Sequence, residues 1–227
     1  MEKNIAILIA DLSGYTALTE THGPATAADL IDRYIRIAKN CLVGDSSIHE
    51  RRGDEIMFVS DSPEALLATA LKLEAKTAYE EYFLQVHGGL HFGKVLKRDN
   101  SYFGSTINLV SRIAAKAAPG TFWCSNDFMD SVENKSVCNF LSKGNHTFKN
   151  IKEEIRVFEL QADRFNSNSI DPVCRMVIVD RQNAIYYPDQ AGHYFCSAQC
   201  VELYRDNHRH HQTFPDKMED KRNQIFN

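Results

Sequence analysis

The amino-acid sequence predicts an α/β fold for residues 1–162, an α+β sandwich in which helices cover a mixed sheet mainly on one face. Helical and strand-like segments interleave along this part of the chain, and the first strand-like segments are almost wholly apolar, as in a buried sheet. The last quarter differs, because it holds Cys174, Cys196 and Cys200, three of the six cysteines. We therefore expect a second, smaller module there.

Each element is predicted from the spacing of its apolar residues and from the residues that bound it. Glycine or proline marks most boundaries, and Gly53-Asp54 is a strong hairpin signal. In order, the sequence predicts strand 4–10, helix 24–42, a hairpin around 53–54, helix 63–79, strands 83–91 and 94–97, helix 104–118, strand 121–124, helix 126–132, and two or three strands within 137–160.

Composition favours a soluble globular protein, since 227 residues with 43% hydrophobic content suffice for one full domain and a small second one. The net charge is −4 and the basic residues are dispersed, which gives no electrostatic reason to expect nucleic acid or an anionic membrane as partner. No apolar run approaches the roughly 20 residues of a spanning helix, and no signal peptide is recognisable. We expect a cytoplasmic protein.

Two carboxylates stand at the ends of predicted core strands. Asp11 follows the first strand where it meets a loop, and Asp54 lies at the tip of the hairpin. Such residues often serve only as a helix cap or a turn residue. Two acidic groups at the ends of two buried strands also suit a hard divalent cation, and both interpretations are open at this point.

Four ordered motifs carry a family resemblance: IADLSGYT at 9–16, ERRGDEIM at 50–57, GLHFGKV at 89–95 and YFGSTINLVSRIAAKAAPG at 102–120. In that order and at those separations they resemble the catalytic domain of class III nucleotidyl cyclases, the adenylate and guanylate cyclases, over roughly residues 4–160. The resemblance implies the ferredoxin-like sandwich of that family. It also implies conversion of a nucleoside triphosphate to a 3′,5′-cyclic nucleotide and pyrophosphate.

The resemblance assigns a role to each matching residue. Asp11 and Asp54 match the aspartates that hold two Mg²⁺ or Mn²⁺ ions per active site. Asn108 and Arg112, four apart on a predicted helix and therefore on one face, match the residues that orient the ribose and stabilise the transition state. A solvated helix face is the plain alternative for that pair. Lys149 resembles a lysine that contacts the triphosphate.

In this family the aspartates come from one subunit and the asparagine, arginine and lysine from the other. The resemblance therefore implies a homodimer with two interfacial active sites. The alternative is a catalytically degenerate protein that binds a nucleotide or a partner, since Phe92 stands where many relatives carry threonine.

The sequence specifies the nucleobase of the substrate less well than the reaction. Glu50, three residues before Gly53, stands where guanylate cyclases carry glutamate and adenylate cyclases carry lysine, so it weakly favours guanine. Ser101, at the partner position, can donate or accept a hydrogen bond and decides little. Arg51 and Arg52 are close enough in sequence to neutralise Glu50, so the base stays open.

Residues 171–212 resemble a YHS domain, a small treble-clef-like metal-binding module, through DPVC at the start and YFCSxxC near the end. Residues 163–170 are predicted to be a linker and 213–227 a polar tail. The linker and the change of composition mark this segment as a separate unit.

The cysteines of this segment predict a metal or redox sensor. Cys174, Cys196 and Cys200 would hold Zn²⁺ or another soft metal, Cys196 and Cys200 from one helical turn. A small apolar core lined with cysteines is the alternative, because the fourth ligand is not identified. The segment HRHH, with His208, His210 and His211, either supplies that ligand or belongs to the solvated tail.

Overall fold

The computed structural model describes residues 1–161, 168–187 and 192–212, with side chains as far as His208. An eight-stranded sheet forms its centre. In chain order the strands are β1 (Glu2–Ser13), β2 (Ser47–Arg52), β3 (Glu55–Ser60), β4 (Gln85–Arg98), β5 (Ser101–Phe103), β6 (Phe122–Ser125), β7 (Asn139–His146) and β8 (Ile155–Gln161). Across the sheet the order is β2-β3-β1-β4-β6-β8-β7, with β5 paired to β4. The β4–β6 pair is parallel and the other pairs are antiparallel, so the predicted mixed sheet is confirmed.

Helices lie on both faces of this sheet. They are α1 (Tyr15–Cys41), α2 (Pro63–Ala78), α3 (Ser105–Lys116) and α4 (Asn126–Ser131), followed by a short 3₁₀ helix at Lys135–Val137. Apolar residues of α1, α2 and α4 share one core with the even-numbered residues of β1. The odd-numbered residues of β1 pack with α3 on the opposite face. Because successive side chains of a strand point to opposite faces of the sheet, β1 contributes residues to both cores.

Helix α3 lies directly on the backbone of β4. A Cβ atom at Gly89 would stand 2.4 Å from the backbone nitrogen of Ala114 and 2.7 Å from the carbonyl oxygen of Val110. Only glycine permits this approach, so Gly89 sets the depth at which α3 packs. The other edge of α3 contacts Phe148 and Trp123 through a third apolar cluster.

Two predicted boundaries are wrong. Helix α1 begins at Tyr15 instead of residue 24, because the chain is helical on both sides of a kink at Gly23, where φ is 83°. The predicted strands 83–91 and 94–97 form the single strand β4. Its glycines do not interrupt it, since β4 pairs with β1 from Gln85 to Leu96 without a break.

The C-terminal segment contains four short strands and a helix: β9 (Ser169–Ile170), β10 (Val177–Ile178), β11 (Ile185–Tyr186), β12 (Tyr194–Phe195) and α5 (Ala198–Gln212). Strand β9 pairs with β10 and β11 with β12. The predicted linker is thus too long at its end, because 169–170 are already part of β9. Residues 163–167 of that linker and the predicted tail 213–227 lie outside the described residues. The treble-clef-like YHS assignment stays a prediction.

This segment packs onto the first domain. The Val177 amide donates to the Phe83 carbonyl (2.6 Å), and the Tyr82 amide donates to the Val177 carbonyl (3.1 Å). Six of its buried apolar residues belong to the same core as α1 and α2. They are Cys174, Met176, Phe195, Cys200, Val201 and Tyr204.

Asp171 organises the segment. Its side chain is fully buried, and its two carboxylate oxygens accept backbone hydrogen bonds from Val173 (2.8 Å), Cys174 (3.2 Å) and Cys196 (2.8 Å). One carboxylate therefore joins the turn that carries Cys174 to the end of β12. A buried donor that loses its acceptor costs about 1–3 kcal/mol.

We expect Asp171→Ala to lower the free energy of unfolding by at least about 2 kcal/mol, because three amides lose their acceptor. Denaturant unfolding measures the change. The matched control is Asp180→Ala, an exposed aspartate that accepts from the Gln182 amide, for which we expect less than about 1 kcal/mol. Equal effects of the two substitutions would contradict the role given to Asp171.

Candidate functional site

The two predicted metal aspartates form a half-buried pair at one end of the sheet. Asp11 lies near the end of β1, and Asp54 lies in the turn between β2 and β3. Burial is the main cause that raises the pKa of Asp11; burial and then the charge of Asp11 raise the pKa of Asp54. The Oδ1 atom of Asp11 is buried and has no hydrogen-bond partner among the described residues. An unpaired carboxylate oxygen beside a second carboxylate is a donor set that suits a divalent cation.

Three further residues, which the sequence did not single out, border this pair. His87 stands directly opposite Asp11 in the β1–β4 register, and its Nδ1 lies 2.8 Å from Ser13 Oγ. Burial lowers the pKa of His87 and favours the neutral ring. The Tyr34 hydroxyl is buried beneath the acidic groups, and burial raises the pKa of Glu55. Most of the atoms that could bind a metal ion here are oxygens, so the site fits Mg²⁺ or Mn²⁺.

Asn108 and Arg112 lie on the outer side of α3. Asn108 is exposed and Arg112 is half-buried. Both stand two residues from Val110, which packs against the sheet, so they point about 160° around the helix from it. The Nε atom of Arg112 is buried without a hydrogen-bond partner among the described residues. The described residues of the protomer therefore leave this donor unused.

Lys149 is exposed in a tight turn in which the Ile151 amide donates to the Phe148 carbonyl (3.0 Å). Phe148 packs in one cluster with Leu109 and Ile113 of α3. The turn of Lys149 thus adjoins the helix that carries Asn108 and Arg112. The carboxylate pair forms a separate group at the end of β1 and the β2–β3 turn.

Glu50 lies on β2 and its charge is paired. The Arg52 guanidinium donates to both carboxylate oxygens, at 3.0 and 3.1 Å. The two side chains line a shallow pocket with Glu55 and Ile107, among others. Ser101 is exposed at the start of β5. Because Arg52 neutralises Glu50, the carboxylate alone does not select guanine.

The three C-terminal cysteines come together around one point. Cys174 Sγ lies 3.5 Å from Cys196 Sγ, which lies 3.6 Å from Cys200 Sγ. The fourth donor is His22 of α1, whose Nε2 atom is 3.6 Å from the sulfurs of both Cys196 and Cys200. All four donor atoms lie within 4.8 Å of one another. Cys41, Cys124 and Cys138 are buried free thiols outside this group.

The histidine-rich segment does not supply the fourth donor in the part of it that the structure describes. His208 stacks on the Tyr204 ring at 4.0 Å between ring centroids, and its Nδ1 lies 2.9 Å from the Tyr204 carbonyl. The side chains of His210 and His211 lie outside the described residues. His22 could not be identified from the sequence, because that residue is distant in the chain from the cysteines and precedes the kink at Gly23, which was not predicted.

The relatives of similar sequence include uncharacterized proteins and adenylate cyclases, and the similar solved structures include adenylate and guanylate cyclases. An uncharacterized protein of Mycobacterium tuberculosis is 34% identical over 152 residues, covering 66% of this chain and 39% of that protein. An adenylate cyclase of Glutamicibacter nicotianae is 33% identical over 117 residues, covering 51% of this chain and 29% of that enzyme. The chain therefore spans less than half the length of either relative.

The crystal structure of an adenylate/guanylate cyclase/hydrolase from Silicibacter pomeroyi matches with a TM-score of 0.57 and 26% identity, covering 72% of this chain and 99% of that one. The predicted fold class of the first domain is thereby confirmed. No protein-family model matches the chain. In the described part of the chain, no helix combines the length and apolarity that a membrane span requires.

Proposed function

We propose that this chain is a homodimeric, metal-dependent nucleotidyl cyclase that converts a purine nucleoside triphosphate into a 3′,5′-cyclic nucleotide and pyrophosphate. One observation carries the proposal: the half-buried carboxylate pair of Asp11 and Asp54, with an unpaired oxygen, in a chain of cyclase-like fold and sequence. Burial raises the pKa of both carboxyls and the charge of Asp11 raises that of Asp54, so keeping both ionised costs free energy that a bound divalent cation would offset.

The reaction requires that the ribose 3′-oxygen attack the α-phosphorus while pyrophosphate leaves. Divalent ions held by Asp11 and Asp54 would neutralise phosphate charge and acidify the 3′-hydroxyl. Arg112 has a buried, unpaired Nε that donates to the oxygens on which negative charge accumulates. Asn108 fixes the ribose, and Lys149 binds the triphosphate as a mobile point charge.

The positions of these groups support a dimer. Asn108 and Arg112 point away from the sheet of their own protomer, and the turn of Lys149 lies beside them. A second copy that presents its α3 face to the carboxylate pair would complete the site. A closed two-fold dimer would contain two such sites, each using residues of both protomers.

We propose that either purine nucleotide, ATP or GTP, can be the substrate. The Arg52–Glu50 pair removes the charge that would repel N1 of adenine, and the named relatives include adenylate cyclases. Glu50 would favour guanine only where Arg52 releases it.

A product assay tests the proposal. The purified chain is incubated with Mn²⁺ or Mg²⁺ and with ATP, GTP, CTP or UTP separately, and products are identified by mass spectrometry. We expect a 3′,5′-cyclic purine nucleotide and pyrophosphate in equal amounts. Dimeric, metal-loaded protein that gives no cyclic product from any of the four nucleotides would overturn the assignment.

A further inference from the structure

We propose that His22, Cys174, Cys196 and Cys200 form one tetrahedral site for a thiophilic metal ion, Zn²⁺ in the first instance, at the junction of helix α1 and the C-terminal segment. The site uses a histidine of the first domain, so neither segment contains it alone. The inference stands on these four residues and does not depend on cyclase activity.

The separations of the donor atoms match such an ion. In a tetrahedral site with metal–sulfur bonds of about 2.3 Å, neighbouring sulfurs lie about 3.8 Å apart. Four of the six separations between donor atoms are 3.5–3.6 Å, and all six are within 4.8 Å. One ion therefore reaches all four donors with little movement of the backbone. A disulfide would use only two of the three sulfurs and would leave the imidazole without a function.

The protein positions each of the three cysteines through a backbone hydrogen bond. The amides of Cys174 and Cys196 donate to the buried carboxylate of Asp171. The amide of Cys200 donates to Ser197 Oγ at 3.3 Å, in the first turn of α5. Asp171 is not a ligand, since its oxygens are occupied by amides, and it acts as a positioning residue.

The imidazole is positioned from the first domain. His22 ends the first helical part of α1, immediately before the kink at Gly23. The carbonyl of the preceding residue, Thr21, accepts a 2.6 Å hydrogen bond from Gln199 Nε2 of α5. This contact brings the two helices together beside the donors.

The first helical part of α1 runs from Tyr15 to His22. The metal site would hold its His22 end. The other end already contacts the C-terminal segment, because a Cβ atom at Gly14 would stand 2.6 Å from Arg175 Cβ. Arg175 itself adopts a φ of 69°, a backbone conformation that favours glycine. Both ends of this short helix, which follows the strand of Asp11, are therefore attached to the C-terminal segment.

Binding of the metal ion determines the net charge of the four-residue site. Three thiolates and the lone pair of the neutral imidazole would bind the ion, so Zn²⁺ yields a site of net charge −1, and each thiol that is protonated in the metal-free chain releases its proton. No oxidant is needed. Affinity should consequently fall as the pH is lowered.

Metal titration of the full chain tests the proposal. Reduced, metal-free protein carrying Asp54→Asn, which removes one carboxylate of the other candidate metal site, is titrated with Zn²⁺ against a chelator and with Co²⁺ followed by absorption. We expect one ion per chain and a tetrahedral, thiolate-bound Co²⁺ spectrum. Cys196→Ser should abolish binding at this site, and His22→Asn should weaken it by at least about 100-fold.

Controls separate ligand loss from misfolding. His22→Cys replaces one ligand by another and should restore binding with an altered Co²⁺ spectrum. His208→Asn changes a histidine of α5 that contacts Tyr204 and is not a donor of this site, so we expect less than about a threefold change in affinity. Wild-type affinity and spectrum in His22→Asn, or no bound ion in the reduced wild-type chain, would overturn the proposal.

Discussion

Replacing Asp54 with asparagine is expected to lower cyclase turnover by on the order of 10³-fold while leaving the fold intact. Asparagine has the same shape but does not carry the charge that a divalent cation requires. Burial and the neighbouring charge of Asp11 disfavour the ionised Asp54 carboxylate in the metal-free protein. The melting temperature of metal-free Asp54→Asn should therefore equal or exceed that of the wild type.

This combination of lost turnover and retained stability distinguishes a functional carboxylate from a structural one. Initial rates of cyclic nucleotide formation and thermal unfolding without metal provide the two readouts. Asp61→Asn is the matched control, because Asp61 is an exposed aspartate just after β3 that pairs with Lys3, and it should leave turnover unchanged. Turnover near the wild-type rate in Asp54→Asn would exclude the proposed role of the pair.

Mixing two inactive variants is expected to restore activity. Asp54→Asn removes a carboxylate from one half of the site, and Arg112→Ala removes the guanidinium from the other. If the halves come from different protomers, a hybrid dimer contains one intact site and one doubly altered site. With free exchange at equal concentrations, half of the dimers are hybrids, so activity should reach about a quarter of the wild-type value.

The control for this experiment pairs Asp54→Asn with Asp11→Asn. Both substitutions affect the same half of the site, so every site in the mixture lacks one carboxylate and no activity should return. Native mass spectrometry would verify that hybrids form in both mixtures. Hybrids of the first mixture without activity would show that the carboxylates and Arg112 act within one protomer.

The sequence predicted the features that depend on neighbouring residues. Asp11 and Asp54 were identifiable because a strand end and a hairpin turn are local events with characteristic residues. Asn108 and Arg112 were assigned to one helix face because their spacing alone determines that relation. These four positions required no knowledge of how distant segments pack.

The features that the sequence did not predict depend on tertiary contacts. His87 borders the carboxylate pair only because β4 pairs with β1 in one register. The glycines of β4 suggested a break, whereas at Gly89 the close approach of α3 accounts for the residue. His22 becomes a donor through the kink at Gly23 and the docking of α5, which no local pattern indicates.

The contact between Thr21 and Gln199 has a consequence for biosynthesis. Thr21 lies in a helix that is synthesised early. Its hydrogen-bond partner Gln199 lies 178 residues further along the chain and is synthesised much later. The N-terminal helical turns therefore emerge from the ribosome without the surface that covers them. Contacts of such sequence separation slow folding, so we expect the docking of α5 onto this helix to be a slow, late step of folding.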